Sequence, residues 1–222
     1  MKLKKIVLAL LIGALIPVHA QAQEEQEGMT QQETKKMAFG RLSEEKQKQV
    51  IAMLKKIFQE AKGKAEKSIR ENGEMVPYGY AANLQGKGQF LHIDPEQKLK
   101  AEMAAHAIQK SILTNAVRGD LAASAIFLTM GMPKGLDQKA KEKLKTSIKG
   151  DRELEDVRFL MVELQHLGGL GLLMMVPYWQ ENEGKWVFGE PVSQQVGAEL
   201  QKSVQRVMRR AAQQQQTGKD GS

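Results

Sequence analysis

Glu163 is the residue whose surroundings in the sequence most favour acid–base chemistry. It lies in the largely apolar run VRFLMVELQH, residues 157–166. In an extended strand side chains alternate between faces, so Glu163 shares a face with Phe159 and Met161, whereas His166 lies on the other face. A carboxylate among apolar neighbours is desolvated and could serve as a general base. The alternatives are an exposed position or a salt bridge to Arg158 or to a lysine on a helix.

Three histidines lie beyond the N-terminal segment: His92, His106 and His166. Together with Glu163, either His166 or His92 would complete the acid–base site of a small hydrolase or isomerase. None of the three has the spacing to another ligand that binds a metal on a helix. We therefore expect no metal site and no cofactor. Whether the chain is an enzyme stays open, and the sequence favours a protein without enzyme activity.

The tripeptide Val-Pro-Tyr occurs twice, at residues 76–78 and 176–178. Proline cannot donate a hydrogen bond within a sheet, so the first copy is predicted to begin a strand and the second to end one at Pro177. If these strands are antiparallel neighbours, four aromatic side chains cluster at one end of the sheet: Tyr78, Tyr80, Tyr178 and Trp179. Such a cluster predicts a surface that binds a ligand or a partner's side chains. The alternative is that half-buried tyrosines close the core.

Composition and motifs exclude several chemistries. The chain has no cysteine, which excludes disulfides, thiol nucleophiles and thiolate metal sites. It has no G-x-S-x-G nucleophile motif. Gly86-Lys87-Gly88 is too short for a phosphate-binding loop, and its glycines are typical of a hairpin turn.

Basic residues are concentrated in a lysine-rich segment and near the C-terminus. Those that could contact an anionic membrane surface are Lys139, Lys143, Arg206, Arg209 and Arg210. No aromatic residues alternate with them, which argues against binding of single-stranded nucleic acid. A solvated helix face is the simpler interpretation.

Residues 1–22, MKLKKIVLALLIGALIPVHAQA, have the pattern of a secretory signal. Three lysines precede an apolar run that is too short to span a bilayer comfortably, and cleavage is expected after Ala22 or Ala20. The lysines of this signal account for three of the seven net positive charges. The basic signal and the Gln-rich segment after it resemble those of Gram-negative periplasmic proteins, so we expect a periplasmic location.

The rest of the chain is predicted to form a single α+β domain over residues 43–212. Residues 23–42 and 213–222 are polar and are predicted to be a disordered leader and a disordered tail. Ser43 is expected to cap a long helix that ends at Asn72-Gly73, and Ser193 to cap the last helix. Residues 134–155 are predicted to be a lysine-rich helical insertion.

Glycine turns at residues 85–88 and 167–169 predict two β-hairpins. The predicted order of elements is α-β-β-α-β-(α)-β-β-α. Because hairpins dominate, this order predicts a single antiparallel sheet of about five strands backed by helices.

This order of elements resembles that of profilin-like and Roadblock-type domains. The resemblance implies a five-stranded antiparallel sheet in which the first strand lies beside the last. The strings PYGYAANLQGKGQ and VELQHLGGLGLLMMVPY are similar to those of uncharacterised small exported bacterial α+β proteins. Neither resemblance implies an activity.

The sequence favours a non-catalytic periplasmic binding or interaction protein. Its contact surface is expected near the two Val-Pro-Tyr segments, and its partner is expected to be another protein or a small ligand of the cell envelope. One alternative is the small hydrolase or isomerase with Glu163 and a histidine. Another is an immunity or inhibitor protein directed against an exported toxin.

Overall fold

The computed structural model describes residues 31–83, 87–94, 97, 99–132, 136–148, 152, 157–181 and 184–217. The predicted signal, residues 1–22, lies outside the described residues. The helices of the described part are α1 (Gln31–Met37), α2 (Glu44–Asn72), α3 (Ala101–Arg118), α4 (Gln138–Ser147) and α5 (Glu199–Thr217). The strands are β1 (Tyr78–Ala82), β2 (Gly88–His92), β3 (Ala123–Met130), β4 (Arg158–His166), β5 (Leu170–Gln180), β6 (Trp186–Phe188) and β7 (Val192–Val196).

These strands form one antiparallel sheet in the order β2-β1-β3-β4-β5-β6, and β7 also pairs with β5. The predicted α+β class and the antiparallel sheet are confirmed. The predicted number of about five strands is corrected to seven within the described residues. The resemblance to Roadblock-type domains implies that the first strand lies beside the last. In the structure β1 lies between β2 and β3 instead.

The prediction that Pro177 ends a strand is wrong, because β5 continues to Gln180. Residues 171–175 of β5 pair with β7, and residues 178–180 pair with β6. Pro177 lies between these two paired stretches, and its carbonyl accepts a 2.8 Å hydrogen bond from the Gly189 N–H. A proline is tolerated where the ladder of hydrogen bonds is interrupted in this way. Ser193 lies within β7 and does not cap the last helix.

Helices cover both faces of the sheet. The long helix α2 packs on one face, where its buried row contacts alternate residues of β1, β3, β4 and β5. On the other face, α3 packs over β1 and β3, α5 packs against α3 and β4, and α4 packs over the start of β4 and the end of β5. The sequences of β3 to β5 explain this arrangement, because strands that are buried on both faces are nearly continuous apolar runs. A cleft between the sheet and its helices can therefore form on either face.

The capping of α2 follows from its terminal residues. The Ser43 hydroxyl accepts a hydrogen bond from the Lys46 N–H at 3.4 Å, and Glu44 and Glu45 occupy the first turn. Gly73 ends the helix with a left-handed φ of 75° and donates its N–H to the Ile69 carbonyl at 2.8 Å. The predicted bounds of this helix are confirmed.

The described parts of the two predicted disordered ends include helix, whereas residues 23–30 and 218–222 lie outside the described residues. Residues 31–37 form α1, which packs on α3, and Thr34 and Ala38 are buried. Thr34 and Ala38 are small residues four positions apart, so they lie on one face of the chain and are buried there. The polar composition of the segment hid this face and led to the prediction of disorder. At the other end, α5 continues to Thr217, past the predicted start of the tail at residue 213. In the lysine-rich insertion, the described helix covers Gln138–Ser147.

Candidate functional site

A cleft of about 400 Å³ lies between α3, α5 and the middle of the sheet. Its floor is formed by side chains of β3 and β4, namely Ser124, Ile126, Glu163 and Gln165. Its walls come from α3 and α5 and consist of His106, Gln109, Lys110, Ile112, Leu113, Glu199, Leu200 and Ser203. The cleft thus combines apolar side chains with a polar floor.

The polar floor is organised around the Gln165 carboxamide. Its Nε2 donates one hydrogen bond to Glu163 Oε1 at 2.9 Å and another to the Gly197 carbonyl at 3.1 Å. Gln165 is only 5% exposed, and Ser124, which faces it in the register of β3 and β4, is 3% exposed. Because both partners of Nε2 are acceptors, the orientation of the amide is determined by its surroundings.

Alternation along β4 places Glu163 and Gln165 on this face. Phe159 and Met161 point the same way but pack under α4, as part of an apolar cluster. From Glu163 onward, this face of β4 lies beside α3 and α5. Here the residues change from apolar to polar, to Glu163 and Gln165. Two successive polar residues on one face of an apolar strand were therefore the signal for this cleft. Glu163 was predicted from its apolar neighbours in the sequence, whereas Gln165 and Ser124 were not predicted.

The structure does not bring Glu163 together with either predicted histidine. His166 lies on the opposite face of β4, is 1% exposed, and accepts a 2.9 Å hydrogen bond at Nδ1 from the Gly168 N–H. Burial lowers the pKa of His166 to about 4. The histidine that shares the cleft with Glu163 is His106, on α3.

His92 lies on the edge strand β2, at the surface. Its Nε2 is 2.7 Å from Nζ of Lys64 on α2. Partial burial, together with the positive charge of Lys64, lowers the pKa of His92. This histidine therefore belongs to the α2 face of the sheet, not to the cleft.

The four aromatic residues of the predicted binding surface lie in the core. Tyr78, Tyr80 and Tyr178 face α2, whereas Trp179 lies on the opposite face among residues packed under α4. Tyr78 and Tyr178 are 3% and 0% exposed, and β3 and β4 separate their strands. The expected single cluster is thus corrected, because the two strands are not neighbours.

Specific contacts account for these buried tyrosines. The Tyr78 hydroxyl donates a 2.7 Å hydrogen bond to the Ala61 carbonyl of α2, and its ring stacks on Phe127 with 4.6 Å between ring centroids. Tyr178 lies beside Trp186 and Phe188, with ring centroids 5.7 Å apart in both pairs. Burial raises the pKa of the Tyr78 and Tyr178 hydroxyls. These side chains close the core, as in the alternative considered above.

The five basic residues named for membrane contact are all exposed, on two helices. Lys139 and Lys143 lie on α4, and Arg206, Arg209 and Arg210 lie on α5. Contact with an anionic surface stays a prediction. No helix in the described ranges is both long and apolar enough to span a membrane.

Metal-ligating residues are scattered in the part of the chain that the structure describes. There, no three or more His, Asp or Glu side chains lie close enough together to hold a metal ion.

Comparison with protein-family models, with curated proteins and with solved structures gives no match. The functional proposal therefore depends on the cleft itself.

Proposed function

We propose that this chain is a non-catalytic binding protein of the cell envelope and that its ligand occupies the cleft between α3, α5 and the sheet. The observation that carries the proposal is the cleft's combination of size and lining. Its volume of about 400 Å³ lies within the range of ligand sites, roughly 300 to 1,000 Å³. Such sites usually have mainly apolar walls and a few convergent polar groups.

The lining of the cleft has this character. Ile112 and Leu113 of α3, Leu200 of α5 and Ile126 of β3 provide apolar surface. Glu163 and Gln165 converge on the floor and are hydrogen-bonded to each other. The apolar groups would supply binding energy, and the polar pair would orient the ligand.

The burial of the four aromatic residues favours the cleft over the Val-Pro-Tyr segments as the contact site. A side chain already packed in the core cannot contact a ligand without opening the fold. The periplasmic location remains part of the proposal and depends on the signal-like residues 1–22.

A fragment-binding experiment tests the proposal. Amide chemical shifts of the isotope-labelled protein would be followed while small amphipathic fragments are added. We expect the largest changes in α3, β3, β4 and α5, and we expect Ser203→Trp, which fills the cleft, to abolish them. Ser111→Trp is the matched control, because Ser111 is an exposed α3 residue outside the cleft lining. Fragments that bind elsewhere, or that bind both variants equally well, would refute the proposal.

One observation favours a second candidate function, that of a small hydrolase or isomerase. Glu163 and His106 line the same cleft, and a carboxylate with an imidazole is a common acid–base pair. The two functions are distinguished by following a bound ligand over time by NMR. Conversion that is lost in both Glu163→Gln and His106→Gln would support the enzyme, whereas an unchanged ligand would support the binding protein.

A further inference from the structure

The Glu163 carboxylate lies on the sheet floor without a cationic partner. Within the described ranges, no lysine or arginine nitrogen lies within 4.0 Å of it, although ion pairs form elsewhere on the surface. Gln165 supplies one hydrogen bond, to Oε1. Glu163 is half-buried, and a carboxylate that has lost part of its hydration is stabilised by a partner that supplies positive charge or hydrogen-bond donors.

Lys110 and Glu199 also line the cleft but do not neutralise Glu163. The Lys110 side chain is exposed, so its charge stays solvated. Glu199 is paired with Lys202, whose Nζ lies 2.9 Å from Glu199 Oε1. Of the two carboxylates that line the cleft, Glu163 is thus the one without an ion pair among the described residues.

Gln165 provides a second, independent indication of the ligand. Its Nε2 is used by two acceptors, and its buried Oε1 has no hydrogen-bond partner. A buried acceptor without a donor is destabilising and is uncommon in folded proteins. On this side of the sheet, Gln165 Oε1 therefore lacks a donor, and the Glu163 carboxylate lacks a cation within ion-pair distance among the described residues.

We propose that the cleft binds the primary ammonium group of a small amphipathic ligand. The ammonium group would lie between the Glu163 carboxylate and Gln165 Oε1, with the apolar part of the ligand against Ile112 and Leu200. An ammonium carries one positive charge and three donors, so it can satisfy both acceptors. A carboxylate ligand would be repelled by Glu163, and a neutral one would leave its charge unpaired. This inference depends on the proposed binding function and specifies its ligand.

The first test uses the unmodified protein and three probes with the same six-carbon chain: hexylammonium, 1-hexanol and hexanoate. Binding is measured by NMR titration at pH 7. We expect hexylammonium to bind at least about tenfold more tightly than hexanol, since a hydrogen bond to a charged group contributes more than a neutral one. Hexanoate is expected to bind more weakly than hexanol.

The outcomes separate this inference from the proposed function. Equal or tighter binding of hexanol or hexanoate in the cleft would overturn the ammonium site and leave the cleft as a ligand site. If none of the probes, and no fragment from the wider set, binds in the cleft, both proposals fail.

The second test uses variants of the acceptors. Glu163→Gln keeps the shape of the side chain and removes its charge, so the preference for hexylammonium over hexanol should fall by about tenfold. Gln165→Met, which removes the unpaired acceptor, should reduce the preference in the same direction. Glu60→Gln is the matched control and should change it by less than about twofold, because Glu60 lies on α2, outside the cleft lining, and is exposed and paired with Lys56. An unchanged preference in Glu163→Gln would overturn the inference.

The ammonium could belong to a free amine or to the N-terminus of a peptide. A leucine-containing dipeptide and its N-acetylated form distinguish these sources. Stronger binding of the free dipeptide than of hexylammonium would identify a peptide N-terminus as the ligand group, and the reverse order would identify a free amine. Equal binding of the acetylated and free dipeptides would contradict recognition of the peptide's ammonium group.

Discussion

In this protein, the role of a strand residue depends on the face of the sheet to which its side chain points. In β4, Glu163 and Gln165 face the cleft, whereas His166 faces away from it and is buried. His166 uses Nδ1 to accept the Gly168 N–H within the turn that joins β4 to β5. Its role is thus to stabilise a hairpin turn, as asparagine side chains often do.

The burial of His166 predicts a dependence of stability on pH. Its pKa is lowered to about 4 in the folded protein, from 6.5, so the unfolded chain takes up a proton between these values and the folded chain does not. The stabilisation is therefore complete above pH 6.5 and is lost as the pH falls toward 4. We expect this residue to reduce the free energy of unfolding by about 2–3 kcal/mol between pH 7 and pH 4.5. Urea unfolding at the two pH values measures the change.

The control for this prediction is His166→Asn. The asparagine Oδ1 can accept the same N–H and does not titrate, so the variant should lose less stability on acidification than the wild-type protein. His92→Asn should retain most of the wild-type dependence, because the exposed His92 loses much less hydration than the buried His166. Identical acid sensitivity of His166→Asn and the wild-type protein would contradict the prediction.

At the scale of elements, α2 has a glycine cap at its C-terminal end and a destabilising glycine in its interior. Gly63 lies in the middle of this 29-residue helix, and a Cβ built there meets no atom within 4 Å. Gly73 has a φ of +75°, and a Cβ there would lie 2.9 Å from Cζ2 of Trp186. The same residue type thus weakens the helix at one position and ends it at the other.

Two alanine substitutions are expected to have opposite effects. Gly63→Ala should raise the free energy of unfolding by about 1 kcal/mol, because alanine loses less backbone entropy in a helix. Gly73→Ala should lower it by about 1 kcal/mol or more, because alanine is strained in the left-handed conformation. Urea unfolding at pH 7 compares both with the wild-type protein. Changes of the same sign would contradict this account of α2.

On the scale of the whole molecule, α1 connects the N-terminal part of the described chain to the face that holds the cleft. Ala38, just after α1, belongs to the apolar cluster formed with α3 and α5. The Gln205 Nε2 of α5 donates to the Ala38 carbonyl at 2.6 Å, and the Gln201 Nε2 donates to the Gly40 carbonyl at 3.3 Å. These contacts position α5, which forms one wall of the cleft.

Removal of α1 tests this connection. A chain that begins at Arg41 should unfold with a free energy about 1–3 kcal/mol lower than a chain that begins at Gln31, because buried contacts and hydrogen bonds are lost. Hydrogen exchange should show reduced protection in α5. Gln205→Ala in the longer chain should reproduce about 1 kcal/mol of the loss. Equal urea midpoints for the two chains would show that α1 does not support the domain.

Much of the fold could be predicted because it depends on local patterns. The bounds of α2 follow from Ser43, Gly73 and the spacing of its apolar residues, and the β4–β5 hairpin follows from the turn at residues 167–169. The prediction failed where a short element is stabilised by distant partners. β7 depends on the free edge of β5, and the helix at residues 31–37 depends on packing against α3.

The sequence by itself determined the class of the fold, the antiparallel hairpins and the side of β4 on which Glu163 lies, because these follow from periodicity and turn chemistry. Only the tertiary structure decided what covers that side. Packing of α3 and α5 near Glu163, with α4 displaced along the sheet, opens the cleft and brings Gln165 and His106 to it. On the other face of the sheet, packing of α2 buries Tyr78 and Tyr178. Strand neighbours and helix positions depend on contacts between residues far apart in the chain, which single-strand periodicity does not encode.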